Sequence, residues 1–299
     1  MRAIAAGMGL GMLLAGASAW TQNNPQAPAA GSTQPVPTAS SADYSAVYCS
    51  NYYTSERGSD DTFLVSGEES NSKIIFSLRD TVFINKGSGQ GVRVGDRYTV
   101  SRPDSDLMDV QWFQWQKQIT KAMGTLYRDA GQLKIINVQP NVSTAEVTFA
   151  CDYLQRGDLV RPFEERPSPP FKPAAKFDKF APVSGKSVGM LVVGKDYSQT
   201  FGKFSTVYVN LGSNQNVHVG DYYRIFRYQG SHAETSEYLP DYQYKILGFG
   251  SAPARYQWND LPREVLGEGV VLSVGPNSST VLITFSRIEL FAGDYVEIE

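Results

Sequence analysis

Histidine and cysteine are nearly missing from this chain: two of each in 299 residues. A histidine-centred catalytic site or a His/Cys metal centre needs several such side chains to converge, so neither is expected and no cofactor is called for. An excess of one charge is lacking too, with 27 Lys and Arg against 30 Asp and Glu and a formal net charge of -3. General nucleic-acid binding, which needs a strongly basic face, is therefore not expected. Long hydrophobic runs are scarce. The one near the N-terminus, residues 7–15, falls short of the roughly 20 apolar residues that span a bilayer. Aromatic residues, in contrast, make up 12% of the chain, which argues against disorder throughout.

Arg2, the uncharged run 7–15 and the small residues Ala17, Ser18 and Ala19 before Trp20 have the order of a secretory signal over residues 1–19, cleaved after Ala19. The expected location is the periplasm or the exterior. No transmembrane segment is expected in the mature chain, and any outer-membrane association would run through partners. Residues 20–46 open with an uncharged stretch rich in Gln, Asn, Pro, Ala and Ser. Such a stretch buries too little apolar surface to offset its ordering entropy and reads as a disordered tether. A second low-order stretch, residues 166–184, holds Pro167, Pro169, Pro170, Pro173 and Pro182 and reads as an extended linker. Two blocks of similar size remain, 47–165 and 185–299.

The blocks are copies. Residues 82–98 (VFINKGSGQGVRVGDRY) align without a gap on residues 207–223 (VYVNLGSNQNVHVGDYY), 125 positions later. Residues 136–149 (INVQPNVSTAEVTF) with Gly157-Asp158 match residues 272–285 (LSVGPNSSTVLITF) with Gly293-Asp294. A looser match joins Leu64-Val-Ser-Gly67 to Leu191-Val-Val-Gly194. Three matches in one order, with different spacers between, indicate a tandem duplication.

The pattern inside each copy has period two, the period of a strand. Val82 and Ile84, like Val207 and Val209, share a face. Val92 and Val94 are expected to point inward around Arg93, and Val217 and Val219 around His218. Ala145, Val147, Phe149 and Cys151 are expected to form one face, with Val281, Ile283 and Phe285 as the matching one. Pro140-Asn141 and Pro276-Asn277 read as hairpin turns. Four Gly-Asp pairs, Gly95-Asp96, Gly157-Asp158, Gly220-Asp221 and Gly293-Asp294, read as structural turns in which glycine takes a positive φ and aspartate bonds nearby backbone. The expected fold is all-β: two tandem small antiparallel barrels, SH3-like or curled sheets, the first with a short helical insertion. That helix falls within residues 110–126, where Trp112, Trp115, Ile119, Ala122 and Met123 are partly at helical spacing, and it is expected to cap its own barrel. Residues 185–299 are expected to fold alone.

Cys49 and Cys151 bracket the first copy, and export makes a disulfide between them chemically sensible. It would close a loop of about 100 residues, worth about 4.7 kcal/mol in the chain-entropy model; two separate buried thiols are the alternative. His218 and His232 read as surface residues, with no partner carboxylate and nucleophile to make either catalytic. The second copy's insertion, residues 238–258, concentrates aromatics. Tyr242, Tyr244, Tyr256 and Trp258 are candidates for a binding surface, facing a protein or a glycan, or else pack on their own barrel.

Tyr48-Cys-Ser50, Phe163-Glu-Glu-Arg-Pro167 and Asn210-Leu-Gly-Ser213 through Val219-Gly-Asp221 carry a resemblance, over most of residues 47–299, to uncharacterised exported acidobacterial proteins with tandem barrels. The Val-Gly-Asp segments alone also resemble the C-terminal domain of flagellar assembly protein T and barrel modules that accompany peptidoglycan-binding LysM repeats. The resemblance implies small envelope barrels and no catalytic residues, and no LysM repeat is evident in the chain. The function expected is a non-enzymatic exported scaffold or adaptor whose partners are envelope proteins. The alternative is a carbohydrate or peptidoglycan-associated module built on the aromatic insertion. A hydrolase, third in order, would need paired carboxylates such as Asp241 and Asp260 in a cleft.

Overall fold

Alternating β-branched residues present one apolar face to a core and leave the other face to solvent or to a second layer, and both copies are built from such strands. A computed structural model describes residues 40–56, 60–68, 72–104, 111–172, 177–228 and 262–299. The signal 1–19, the tether up to residue 39, and Tyr242, Tyr244, Tyr256 and Trp258 lie outside the described residues. The chain runs α1 (Tyr44–Tyr48), β1 (Tyr52–Thr54), β2 (Leu64–Gly67), β3 (Ile75–Phe76), β4 (Thr81–Ile84), β5 (Arg97–Asp104), α2 (Gln116–Met123), β6 (Thr125–Val138), β7 (Ser143–Ala150), β8 (Leu154–Gln155) and β9 (Leu159–Pro162). The second copy follows as β10 (Val188–Gly194), β11 (Thr200–Phe201), β12 (Thr206–Val209), β13 (Tyr222–Arg227), β14 (Glu264–Val274), β15 (Ser279–Ser286), β16 (Leu290–Phe291) and β17 (Tyr295–Ile298).

Strand order is the same in both copies. The first sheet runs β2-β4-β7-β6-β5-β9, and the second runs β10-β12-β15-β14-β13-β17. The irregularities repeat as well. Register shifts at Leu64/Ser66, Val100/Ser101, Gln132/Leu133 and Ile135/Asn137 recur at Leu191/Val193, Ile225/Phe226, Glu268/Gly269 and Val271/Ser273. Bulges re-aim strands and sharpen their twist, so a shared set of bulges produces a shared curvature. Closure differs. The second sheet is a closed antiparallel barrel, with Val188, Gly189 and Met190 laddered on Glu297, Val296 and Tyr295. The first is an open antiparallel sheet whose end strands meet at a single bridge, Phe63 with Leu159. Of the forms expected, barrel or curled sheet, the second copy is the closed barrel and the first is an open antiparallel sheet. Ahead of β2, Asp60, Asp61 and Thr62 stand where the second copy has Ser187, Val188 and Gly189; Asp61 is a poorer strand former than the Val188 that ladders on Glu297.

Two local expectations are corrected. Residues 92–96 form a turn after a short 3₁₀ segment and not a strand. Val92 and Val217 are buried, but Val94 and Val219 are exposed, 65% and 38%. The face led by Ala145 and Val147 also ends early, because the shift at Gln132/Leu133 rotates the strand. Phe149 packs beside α1 instead of in the sheet interior, and Phe285 lies against Phe177 with ring centroids 4.7 Å apart.

The two matched motifs of each copy meet in space. Gly87 packs so closely on the β6–β7 turn that a Cβ there would fall 2.0 Å from the Gln139 carbonyl oxygen, and one at Gly212 would fall 2.3 Å from that of Gly275. The following amides donate to that turn: Ser88 N to Gln139 O at 2.9 Å and Ser213 N to Gly275 O at 3.0 Å. Only glycine admits such an approach. The Asn-x-Gly signature thus couples the strand it ends to a hairpin some 50 residues on.

The helical insertion is present as α2, but it does not cap its own sheet. Phe113 and Met123 join the core of the second barrel, with Leu191, Val192 and Ile225 in the same cluster. Gln116 Nε2 donates to the Val192 carbonyl on β10 at 2.7 Å, both groups buried. Trp115, in the same insertion, is 58% exposed. Residues Ala39–Glu299 form one compact unit with both copies inside it.

Candidate functional site

The two copies are joined by the segment that precedes them. Part of the expected tether is built into the fold: Ser41 bridges Pro170, and Asp43 caps α1 by accepting the Ala46 amide at 2.6 Å. A helix of five residues cannot persist alone. Here Val47 and Tyr48 are buried in a cluster with Tyr222, Val270, Leu272 and Leu282 of the second barrel. The Cys49–Cys151 disulfide then fastens the segment to the end of β7. Past the disulfide, Asn51 takes a left-handed conformation, φ 56, which asparagine tolerates. Its side-chain oxygen accepts the Asp129 amide at 3.0 Å, and its own amide donates to Asp129 Oδ2 at 2.9 Å. Arg166, from the expected linker, forks onto the buried Asp129 carboxylate at 2.8 and 3.0 Å.

On its other side the same segment is bonded to the second barrel. The Ser50 carbonyl accepts from the Tyr208 hydroxyl at 3.2 Å, that of Asn51 from Thr280 Oγ1 at 3.0 Å, and that of Tyr53 from Ser278 Oγ at 2.9 Å. All three donors are buried. Burial drives the Tyr208 phenol well above its ordinary pKa, so it remains a neutral donor. The linker is likewise docked where described. Lys172 N donates to the Tyr222 hydroxyl at 2.7 Å, and Arg263 Nη2 donates to the carbonyls of Ala181 and Pro182.

Two clefts flank the disulfide. One of about 410 Å³ is lined by Asp43, Cys49, Phe171, Lys195, Phe204 and Leu282 among others. The other, about 260 Å³, is lined by Asn51, Arg128, Asp129, Cys151, Asp152, Lys195 and Asp196. Lys195 borders both. Charges around the smaller cleft are tied into a network between the copies: Asp104 Oδ2 accepts from Arg128 Nε at 2.7 Å and from the Tyr197 hydroxyl at 2.6 Å. Burial, aided by Asp104, pushes the Tyr197 phenol up to about 12. Of the carboxylates lining it, Asp129 is held as an acceptor by Arg166 and the Asn51 amide. Among the described residues, no group of three or more His, Cys, Asp or Glu side chains is placed to hold a metal ion.

The four Gly-Asp turns are built alike. Gly95, Gly157, Gly220 and Gly293 have φ of 95, 88, 91 and 102. Each following aspartate accepts the amide three residues before it: Asp96 from Arg93, Asp158 from Gln155, Asp221 from His218 and Asp294 from Phe291, at 2.8–2.9 Å. Turn formation accounts fully for Asp96 and Asp221 only. Asp158 and Asp294 are buried, and each receives a two-pronged arginine, Arg102 at 2.7 and 2.9 Å and Arg227 at 2.7 and 2.7 Å. Bidentate pairing is the strongest form such a bond takes. Burial still raises the Asp294 pKa against the pull of Arg227 and the Phe291 amide. The arginines were overlooked in the sequence, although they sit 125 positions apart, the offset of the first matched motif. The signal lay four residues past the end of that match. His218 and Arg93 are exposed, as expected.

Among the described residues no helix is long and apolar enough to cross a membrane. Comparison of the chain with family models and with curated proteins gave no match.

Proposed function

We propose that this protein is a non-enzymatic scaffold or adaptor of the cell envelope, exported by residues 1–19 to the periplasm or beyond. One observation carries the reading. Several polar residues that recur in both copies are engaged in closing the fold: the Gly-Asp turns, the Arg102–Asp158 and Arg227–Asp294 pairs, and the Asn85 and Asn210 side chains that accept the Phe63 and Met190 amides at 2.8 and 2.7 Å. A duplicated binding or catalytic function would be expected to keep such shared residues open to a ligand. The disulfide-fastened segment supports the same reading, since it fuses two sheets into one unit that holds its surfaces in fixed relation. A stable disulfide also accords with an oxidising compartment.

The test is cross-linking of the tagged full chain in the cell envelope, followed by identification of what is captured. A scaffold yields one recurrent envelope protein, whose capture persists in an Asp241→Asn/Asp260→Asn variant. Sedimentation with purified peptidoglycan that is lost in Tyr256→Ser/Trp258→Ser would replace this reading with the glycan-binding one. Glycan cleavage lost in Asp241→Asn would replace it with a hydrolase.

A further inference from the structure

Equivalent strands in the two copies have unequal cover. The bulged residue of β10, Val192, is 0% exposed, and its carbonyl accepts from Gln116 of α2. The bulged residue of β2 is Val65, at the same position of the same register shift, and it is 41% exposed. The first copy's insertion therefore covers the second copy's leading strand, while no preceding copy exists within the chain to cover the first copy's own. The surface around Val65 is also more apolar than its counterpart. Phe63 beside it is 38% exposed. At the end of β2, where the Phe76 ring lies against Gly67, Ile74, Ile75 and Leu78 are exposed at 66, 49 and 53%. The matching residues of the second copy are Gln199, Thr200 and Lys203. Exposed apolar residues gathered at one place mark interaction sites when a polar alternative is available to the fold, and the second copy demonstrates that alternative.

The chain carries a second insertion of the kind that covers β10. Residues 229–261 join β13 to β14 as residues 105–124 join β5 to β6. The Phe113-Gln114-Trp115 sequence before α2 recurs in type as Tyr256-Gln257-Trp258. Phe113 of that trio is buried in the shared core.

We propose that the β2 face centred on Val65 is a docking site for a second copy of this chain, which seats its residues 229–261 there as the first insertion is seated on β10. The contact joins two different surfaces. It is closed reciprocally between two molecules or continued head to tail. The internal contact between the copies is its template, with an apolar anchor before the insertion's end and a bulged strand beneath it.

Sedimentation velocity of the full chain over a rising concentration series tests this. Self-association is expected, weakened tenfold or more by Val65→Asp and, separately, by Trp258→Ser. Ile75→Asp, on a half-exposed side chain, serves as a second face variant should Val65→Asp lower the melting temperature. Mixing the two single variants is the decisive step. Val65→Asp retains the insertion and Trp258→Ser retains the face, so together they are expected to form a complex that neither forms alone. A full chain that stays monomeric throughout the series would overturn the proposal. So would association unaffected by both face variants, or a mixture without a complex. A monomer whose melting temperature falls on Trp258→Ser would place the insertion on its own chain, and that too would overturn it.

Discussion

The first copy meets its own last strand at one bridge, and the second ladders its ends over three pairs. Both have the same strand order, the same bulges and the same turn chemistry. What separates them is what surrounds each sheet. The second barrel is clad by the first copy's insertion, by the segment 40–54 and by the linker, and its closing ladder is a continuous run of strand residues. The first sheet gives its insertion away, and among the described residues none covers β2 as α2 covers β10. Repetition of a sequence motif thus reproduces local geometry faithfully, while closure and burial depend on position in the series. In stacked repeats, terminal units differ from internal ones for the same reason.

The strongest test of the equivalence removes the arginines that pair with the buried Asp158 and Asp294. Arg102→Ala and Arg227→Ala each leave a buried carboxylate without its countercharge, which costs about 3–5 kcal/mol. Urea denaturation should find the two losses equal within about 1 kcal/mol. A loss confined to Arg227 would mean that the open sheet tolerates what the closed barrel does not.

Loss of the disulfide separates the copies in another way. Cys151→Ser should destabilise by roughly 2–5 kcal/mol. Because the fastened segment bonds both sheets, the whole unit 39–299 should unfold in one transition at lower denaturant. A second barrel melting unchanged beside an unfolded first sheet would show that 185–299 folds alone, as its sequence implied.

Acid should distinguish the copies at one residue. Burial raises the Glu297 pKa, but bonds from Arg263, the Ser184 amide and Arg224 outweigh burial and hold it below the usual glutamate value. The native state then binds fewer protons than the unfolded state just below that value, so stability falls as pH falls through it. Glu297→Gln should cost about 1–3 kcal/mol at neutral pH. The gap from wild type should narrow as pH drops below about 4.3. Arg161 stands at the matching position of the first copy, so Arg161→Gln should show no such narrowing.

Smaller effects belong to the exposed turns. At Gly95 nothing lies within 4 Å of a built Cβ, and at Gly220 only Pro169 does, at 3.8 Å. Alanine there meets backbone strain alone, about 1–2 kcal/mol at each site. Unequal losses in thermal unfolding would show that the turns are not interchangeable. Arg93→Ala and His218→Ala, both on exposed side chains, should shift stability by about 0.5 kcal/mol or less.

Much of the fold was legible because its determinants are short-ranged. A positive-φ glycine followed by an amide-accepting aspartate is specified within four residues, and it was readable at all four sites. The Cys49–Cys151 bridge followed from the count of cysteines and the expected compartment. Val94 and Val219 were misjudged because a turn briefly mimics alternation, and periodicity over three residues cannot tell the two apart. Asp158 and Asp294 were read as turn residues and no more, because their arginines lie 56 and 67 positions away.

By itself the sequence determined the duplication, the all-β character and the Gly-Asp turns, each set by neighbouring residues or by composition, and it named the two cysteines that pair. Only the tertiary structure decided that α2 clads the other copy, that residues 40–54 bind the two sheets together and that one sheet closes while the other stays open. Those outcomes rest on contacts such as Gln116 with Val192 and Tyr53 with Ser278, 76 and 225 residues apart. Their partners are chosen by which apolar faces remain uncovered once the sheets have formed, and no local pattern records that.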